Sequence, residues 1–573
     1  MSTSAVNSGG SMARTRRLIL ITSVAALTTA GLVQVGGPAS AGGDLRNASA
    51  TAGTRQYLMH PDEAPAGERA RFRALNQRAH AAAARTRATS AAGAANTVKL
   101  SGGVLFNRDA LGLPQNETSV AVCRQGPRYV LGGTNDYRGI VDPGSNFTGW
   151  HLSADGGRSV ANDGLLPPIA HPGGALPSGG DPVNRFGSGC SAYAADLNYD
   201  FSQGTGEIGG VPSGVGVYRS DARTLATCPR GSSPVDLVHP ECWPTRRLVA
   251  QAAPGHFLDK EWMAVGRSGA AGEVVWLAYG DLSNFNADGN EESGVIKVVR
   301  CDPRLVHCTA PITLSGGQKV AEYPTITIAR DGTTVVTWGE FFGESFLGPT
   351  QRPWMAVAAP GSTTFTRRPV AAPRNQIIRG REVPHAANFR FGTMFPSTVT
   401  VHGGGLRVDV LWAECLTHAL DTVCEEPRIL LTSSRDLGLT WSPPHPISAG
   451  GDNFMPTLAT DPATGGVAAA WYTTRFDPLF HHRYDTELVR ILDNGSVSGR
   501  TRVTKVSTEP DADPLLSGTF IGDYLEVAPL NGTAYVHFTA NYRSVPLIGD
   551  GVPIPQQDNF LARVRGRTVP GHS

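Results

Sequence analysis

The sequence predicts an all-β fold, a seven-bladed β-propeller, and three observations carry that prediction. A two-strand unit recurs seven times from Val98 onward. Gly (68) and Pro (41) are abundant and only 17% of residues are charged, which suits a turn-rich β protein. The stretch Ser434-Arg435-Asp436-Leu437-Gly438-Leu439-Thr440-Trp441 has the chemistry of a stapled turn between two outer strands. Its Ser and Asp can bond turn amides, its Gly can take positive φ, and its Trp can plug the space between neighbouring sheets. A chain of 573 residues is too long for one ordinary core unless that core is a ring of repeats. A ring of six blades is the alternative count.

Residues 1–41 read as an export signal. Arg14, Arg16 and Arg17 precede an apolar run from Leu18 to Val33, and Pro38-Ala39-Ser40-Ala41 offers small residues for cleavage. Residues 42–97 are rich in Ala, Arg, Thr and Gly and read as a linker or propeptide. The propeller is expected over 98–567.

Inner strands are expected at Glu117–Val122, Asp181–Phe186, Glu261–Val265, Glu322–Ile328, Met394–Thr400, Phe454–Ala459 and Asp523–Ala528. Second strands follow at Tyr129–Gly133, Ala192–Ala195, Val274–Tyr279, Thr334–Trp338, Val408–Trp412, Val467–Trp471 and Tyr535–Phe538. The units recur roughly every 60–80 residues, longer than the ~40–50 of short propeller repeats, which leaves room for long loops. Outer strands are expected at Arg247–Ala250, Ile312–Ser315, Pro446–Ser448 and Arg502–Thr504. The last unit supplies a third strand, Asn559–Val564, and then the chain is nearly finished. Asn96–Ser101 is expected as its fourth strand, closing the ring and removing an open edge. Ser153–Val160 repeats the stapled turn without its Trp, and Ser220-Asp221 is a weaker echo.

All eight cysteines lie in the presumed exported part, and an even count there reads as disulfides. Short spacing suggests Cys228 with Cys242, Cys301 with Cys308 and Cys415 with Cys424, leaving Cys123 with Cys190. No CxxC spacing supports zinc or thiol-redox chemistry. A formal net charge of +1 gives no support for nucleic-acid binding. HExxH, Gly-x-Ser-x-Gly and Walker patterns are missing, which weighs against protease, lipase and nucleotide-binding readings.

From Val98 to Arg565 the chain resembles the secreted sialidase-like propellers with aspartate-box (BNR) repeats. The motifs are the turn at Ser434–Trp441, Asn116-Glu117, Asn135-Asp136-Tyr137-Arg138, Asp259-Lys260-Glu261-Trp262 and Phe520-Ile521-Gly522-Asp523-Tyr524. The resemblance implies a glycoside hydrolase acting on a carboxylate-bearing sugar, with an arginine trap, a Tyr nucleophile paired with Glu, and an Asp acid/base. The family's N-terminal Arg-Ile-Pro motif is missing from this chain.

Geometry narrows the search. The start of an inner strand and the end of the antiparallel second strand share one edge of a blade, so their flanking residues ring the channel mouth. Arg138, Arg475 and Arg543 end the second strands of units one, six and seven, which are neighbours in a closed ring. They are the candidate carboxylate trap. Tyr542 and Tyr137 are candidate nucleophiles, Glu117 a partner, and Asp181 or Asp259 the acid. Further acids are expected at the mouth: Asp196, Asp200, Glu261, Glu322, Glu340, Glu414 and Asp523. Asp281, Asn284, Asn286 and Asp288 form an oxygen-rich loop of the kind calcium favours outside the cell, although no cofactor is required for the expected chemistry.

Two other functions fit the same fold: a non-catalytic propeller binding glycan or protein, and a lyase for uronate-containing polysaccharide using His481 and His482. The expected partner is carbohydrate or glycoconjugate, met by an extracellular monomer with no membrane contact after signal cleavage.

Overall fold

In the computed structural model, the described residues are 102–566 without 201–211, 230–235, 286–290, 317–319, 343–349, 376–393, 403–404, 416, 420–422, 426, 514, 517–519 and 547–552. The expected signal (1–41) and linker (42–97) therefore lie outside them. Seven antiparallel sheets follow one another along the chain. The inner strands are Gln115–Val122, Ser178–Phe186, His256–Arg267, Ala321–Ile328, Ser397–His402, Asn453–Thr460 and Glu526–Leu530. Six sheets run inner to outer in chain order, with a short hairpin, Thr417–Ala419 with Val423–Glu425, interrupting the fifth. The count of seven, rather than six, is thus settled by strand pairing.

The seventh sheet is completed by the N-terminal side of the chain. Val104 pairs with Leu561 and Leu105 with Phe560, beside the strand Ile554–Arg565. Among the described residues closure comes from Val104–Leu105; the expected Asn96–Ser101 lies outside them. The two strand residues are only the start of the seam. Phe106 donates its amide to Asn559 O at 2.9 Å, Asn107 Nδ2 reaches Asp558 at 2.9 Å, and Gln556 Nε2 reaches Asp109 at 2.9 Å. Thr118 donates to His537 O at 2.7 Å, and His537 Nδ1 stands 2.7 Å from Ser119 O. Phe106 packs edge-on against the His537 ring, with centroids 5.3 Å apart. This seam joins the last blade to the first through buried hydrogen bonds, each costly to leave unmade.

The core lies between blades. Trp276, Trp338, Trp412 and Trp471 come from the second strands of blades three to six and are fully buried. Each such ring removes roughly 150–250 Å² from water, about 4–6 kcal/mol of transfer free energy as an upper bound. The turn at 434–441 is built as its residues dictate. Ser434 Oγ donates to Asp436 at 2.8 Å and accepts Gly438 N at 2.7 Å, and Thr440 N and Oγ1 both reach the Asp436 carboxylate. Gly438 sits at φ 84°, against Met355 of the preceding blade. Ser153–Ser159 repeats the pattern, with Gly157 N on Ser153 Oγ at 2.8 Å and Arg158 N on Asp155 at 2.8 Å. Asp221 does something different: it caps the helix Ala222–Thr227 through Arg223 N and Thr224 N, both at 2.9 Å.

Bridges Cys123–Cys190, Cys228–Cys242 and Cys301–Cys308 are formed, and Cys415 is also disulfide-bonded. The Cys424 side chain lies outside the described residues. Disulfides of this number fit an oxidising compartment. No helix among the described residues is long and apolar enough to cross a membrane.

Burial lowers His537 to about 4 and also holds His151 well below the usual histidine range. A depressed histidine contributes stability that is present above its unfolded value near 6.5 and is lost as pH falls through the folded value. Chemical-denaturation midpoints should therefore fall as pH drops from about 6.5 towards 4. A His537→Gln variant, which cannot gain a proton, should show a shallower fall over that window.

Candidate functional site

One backbone device sets the channel. In five inner strands a non-glycine residue takes left-handed backbone at the same place: Glu117 (φ 54°), Asp181 (56°), Lys260 (52°), Tyr323 (55°) and Met455 (51°). Each marks a break in register with the second strand. These are bulges, which free one residue from the ladder and re-aim its side chain. The sequence supports them locally, because Pro182, Pro324 and Pro456 follow three of the five. Proline cannot donate to the ladder and is tolerated at a bulge. Left-handed backbone on a residue with a Cβ costs of order 1–3 kcal/mol, and such strain concentrates at functional sites.

The re-aimed side chains of blades one to three meet. Lys260 Nζ lies 2.8 Å from Asp181, 2.7 Å from Asp523 and 3.7 Å from Glu117. The lysine is 6% exposed and the Glu117 and Asp523 side chains about 1%. Glu117 also accepts the amide of Asp523 at 3.0 Å, so the last blade is held to the first here as well. Tyr524 donates to Pro182 O at 3.1 Å. On the other side of the ring, Tyr323, Phe395 and Met455 are buried among apolar neighbours. The centre therefore has an ionic half, from blades seven, one, two and three, and an apolar half from blades four to six.

The charges within the ionic half are set unequally. Burial, with the neighbouring Asp181 carboxylate, holds Glu117 well above the usual carboxyl range, and Glu117 shares a hydrogen bond with Asp181. Asp181 is also penalised by burial, but the Lys260 ammonium and the Glu117 hydrogen bond outweigh that and hold it below its usual value. The two environments push like groups apart, Glu117 towards the neutral form and Asp181 towards the ionised one. Asp259, half-buried, accepts the amide of Lys260 at 2.8 Å. Buried Glu261 and Asp196 are likewise held above the carboxyl range by desolvation.

The arginines behave differently from the sequence expectation. Arg138 is 2% exposed and wraps Asp136, with Nη2 at 2.6 Å, while Nη1 reaches Asp163 at 3.1 Å on the outer strand of its own blade. Arg475 pairs with Glu487 at 2.7 Å, an acid it shares with Arg500 at 2.5 Å. Arg543 is half-buried near Asp558, and its Nη1 has no hydrogen-bond partner. Two of the three guanidinium groups are therefore occupied by acids of their own blades. Tyr137 is buried against Phe147, Leu111 and Leu113. Tyr542 donates to Val506 O at 2.6 Å and packs on Phe560, and burial raises its hydroxyl far above the usual value.

The expected calcium loop also has its carboxylate in use. Asp281 stands 2.7 Å from His256 and 2.5 Å from Lys297. Asn284 takes φ 56°, while Asn286 and Asp288 lie outside the described residues. Glu340 accepts Trp354 Nε1 at 2.7 Å, and Glu414 is clamped by Arg374 at 2.6 Å.

His482 is buried against Glu509 and lies 3.1 Å from Asp511, and its neighbour His481 faces Asp452 at 3.2 Å. The ligand atoms of His482, Glu509 and Asp511 lie within 4.8 Å of one another, close enough to hold a metal ion. Glu509 and Asp511 more than offset the burial penalty and raise His482 to about 10. That raised value favours the imidazolium at neutral pH, an ion-pair partner for the two acids, so a metal would have to displace its proton.

Lys260 is the residue that reading the sequence left without a role, although its motif stood out. Aligning inner strands on the residue before each Pro182, Pro324 and Pro456 would have placed it in one column with Glu117 and Asp181.

No family model and no curated protein matches the chain. Among solved structures, it is similar to a protein of unknown function from Dyadobacter fermentans at 10% identity and TM-score 0.39, over 80% of this chain and 98% of that one. The polysaccharide lyase Uly1 is similar at 10% identity and TM-score 0.38, over 81% and 91%. A Trypanosoma rangeli sialidase is similar at 10% identity and TM-score 0.36, over 69% and 57%. Likeness at this level carries nothing about activity, and the propeller assignment rests on the strand pairing itself.

Two outcomes follow from the charges. Replacing Lys260 by Met leaves Asp181 and Asp523 buried without their cation, and should cost about 3–5 kcal/mol in denaturant unfolding. A histidine raised from 6.5 to about 10 contributes stability that is full below its unfolded value and is lost as pH rises through the folded one. Stability should therefore decline from pH about 6.5 to 10, and His482→Gln should flatten that decline.

Proposed function

We propose that this protein is an exported glycan-acting propeller, a hydrolase whose polar centre is the Glu117–Asp181–Lys260–Asp523 cluster. One observation carries the reading: two carboxyls at the channel gathered on one buried lysine, 2.8 Å from Asp181 and 3.7 Å from Glu117, with Glu117 pushed up and Asp181 held down. Such a pair suits the acid half of glycosidic cleavage, the delivery of a proton to the leaving oxygen. Glu117 is assigned the acid. Asp181, the more exposed of the two, relays the proton at the cluster's solvent side. Asp259, half-buried and holding the Lys260 amide, is assigned to activate water. The carbohydrate substrate class comes from the resemblance of the repeat and its turns to sialidase-like propellers. The arginine trap and tyrosine nucleophile of that chemistry are not part of this proposal, because Arg138, Arg475, Tyr137 and Tyr542 are engaged internally.

The same engagement favours a second reading, a binding propeller without turnover. Incubating the purified protein with a panel of neutral and acidic oligosaccharides, and measuring both reducing-end release and binding, separates the two. Under the hydrolase reading, wild type releases reducing ends and Glu117→Gln lowers the rate by at least about 100-fold while glycan binding persists. Binding without release in the wild type would establish the second reading in its place. Neither release nor binding across the panel would remove both.

A further inference from the structure

The channel has a second end, and a layer of side chains separates it from the ionic cluster. Trp262 and Tyr524 meet edge to face with centroids 5.6 Å apart. Arg185 lies over Trp262 at 5.6 Å and reaches Glu526 at 2.7 Å, whose other oxygen accepts Val120 N at 2.8 Å. Beyond this layer is a cavity of about 760 Å³, and none of Glu117, Asp181, Lys260 or Asp523 lines it.

Its walls carry an aliphatic side chain from each of six blades, Val122, Val265, Ile328, Val399, Leu458 and Leu530, interleaved with threonines and Ser397. Its rim is cationic. Arg124, Arg267 and Arg330 stand at the same offset beyond the bulge residues Glu117, Lys260 and Tyr323, so three blades place a guanidinium at one level. All three are exposed. None makes a hydrogen bond or ion pair among the described residues.

The acids of the cavity are already in use. Glu526 is held by Arg185 and Val120 N. Asp461 accepts the amides of Ala463, Asn531 and Gly532 at 2.9, 3.2 and 2.7 Å. Asp331, beside Arg330, is turned onto Thr333 at 2.9 Å. What remains is a chamber of mixed aliphatic and hydroxyl lining, with three guanidinium groups at its rim that have no partner among the described residues.

We propose that this chamber is a second binding site, for a small organic anion with an apolar body. The body lies against the aliphatic walls, and the carboxylate, sulfonate or phosphate head takes hydrogen bonds from the arginine rim. The volume falls within the range of small-molecule pockets.

The test uses 8-anilinonaphthalene-1-sulfonate, a dye that fluoresces when its rings leave water, with the purified intact chain. Dye should bind saturably, and octanoate should displace it. Octanol, with no charge, and inorganic phosphate, with no apolar body, should each displace it at least about tenfold more weakly, the weight of one charge-assisted contact. The double variant Arg267→Gln, Arg330→Gln should lose about tenfold or more in dye and octanoate affinity. Its denaturant midpoint should not change, since both side chains are exposed and unpaired. The mouth variant Asp181→Asn should bind dye as wild type does. Equal displacement by octanol would reduce the site to an apolar hole, and equal displacement by phosphate to a simple oxyanion rim. Either result, unchanged binding by the double variant, or no saturable binding would overturn the proposal.

Discussion

Closing the ring is the constraint on which the rest of this molecule depends. A propeller whose last sheet lacked its outer strand would present an open edge, and its first and last blades would have no shared seam. Val104 and Leu105 supply only two residues of pairing. The work of holding them falls to what surrounds them: the Phe106 ring against His537, and the side-chain amides and carboxylates of Asn107, Asp109, Gln556 and Asp558. Because that seam closes, Glu117 and the amide of Asp523, 406 residues apart in sequence, come within one hydrogen bond. The ionic centre is therefore a consequence of closure as much as of its own residues.

That centre concentrates two kinds of cost. Five residues with side chains hold left-handed backbone, and several ionisable groups sit out of water. Neither persists unless the surroundings over-determine it. Here the bulges and the ion cluster support each other. The bulge frees the side chain from the sheet face, and the meeting of Lys260 with three acids from three other blades fixes the freed side chain. The arginines follow the opposite logic. At the end of a second strand, an outer strand of the same blade offers a carboxylate within reach, as Asp163 does for Arg138 and Glu487 for Arg475. A nearby acid on a rigid sheet wins over an open channel, because the ion pair forms without ordering anything further.

The two ends of the channel differ chemically for a topological reason. Inner strands all run the same way, so their starts share one face and their finishes the other. At the starts stand the acids and Lys260. At the finishes stand arginines on three blades and aliphatic residues below them. Between the two, Arg185 and Glu526 join blade two to blade seven across the channel.

Much of the architecture was legible in the chain. Seven repeats of a short apolar strand, a turn and a second strand, four of them ending in Trp or Tyr, told the blade count, and Cys spacing told the Cys228–Cys242 and Cys301–Cys308 bridges, with Cys123–Cys190 following by elimination. The turn chemistry of Ser434, Asp436 and Gly438 is local, so residue types alone specify it. The site was harder to read. Glu117, Asp181 and Asp259 were visible as acids at strand starts, but Lys260 lay among them unremarked, and Arg138 and Arg475 stood where a trap was expected. Apart from Asp136, which is local to Arg138, their partners lie on other strands or blades. Sequence by itself determined which segments become strands and where they turn, because hydrophobic alternation and turn residues act within a few positions. Which charges meet was decided only by the tertiary structure, since ion pairing depends on distances of a few ångströms between residues that closure of the ring, and nothing in their own neighbourhood, brings together.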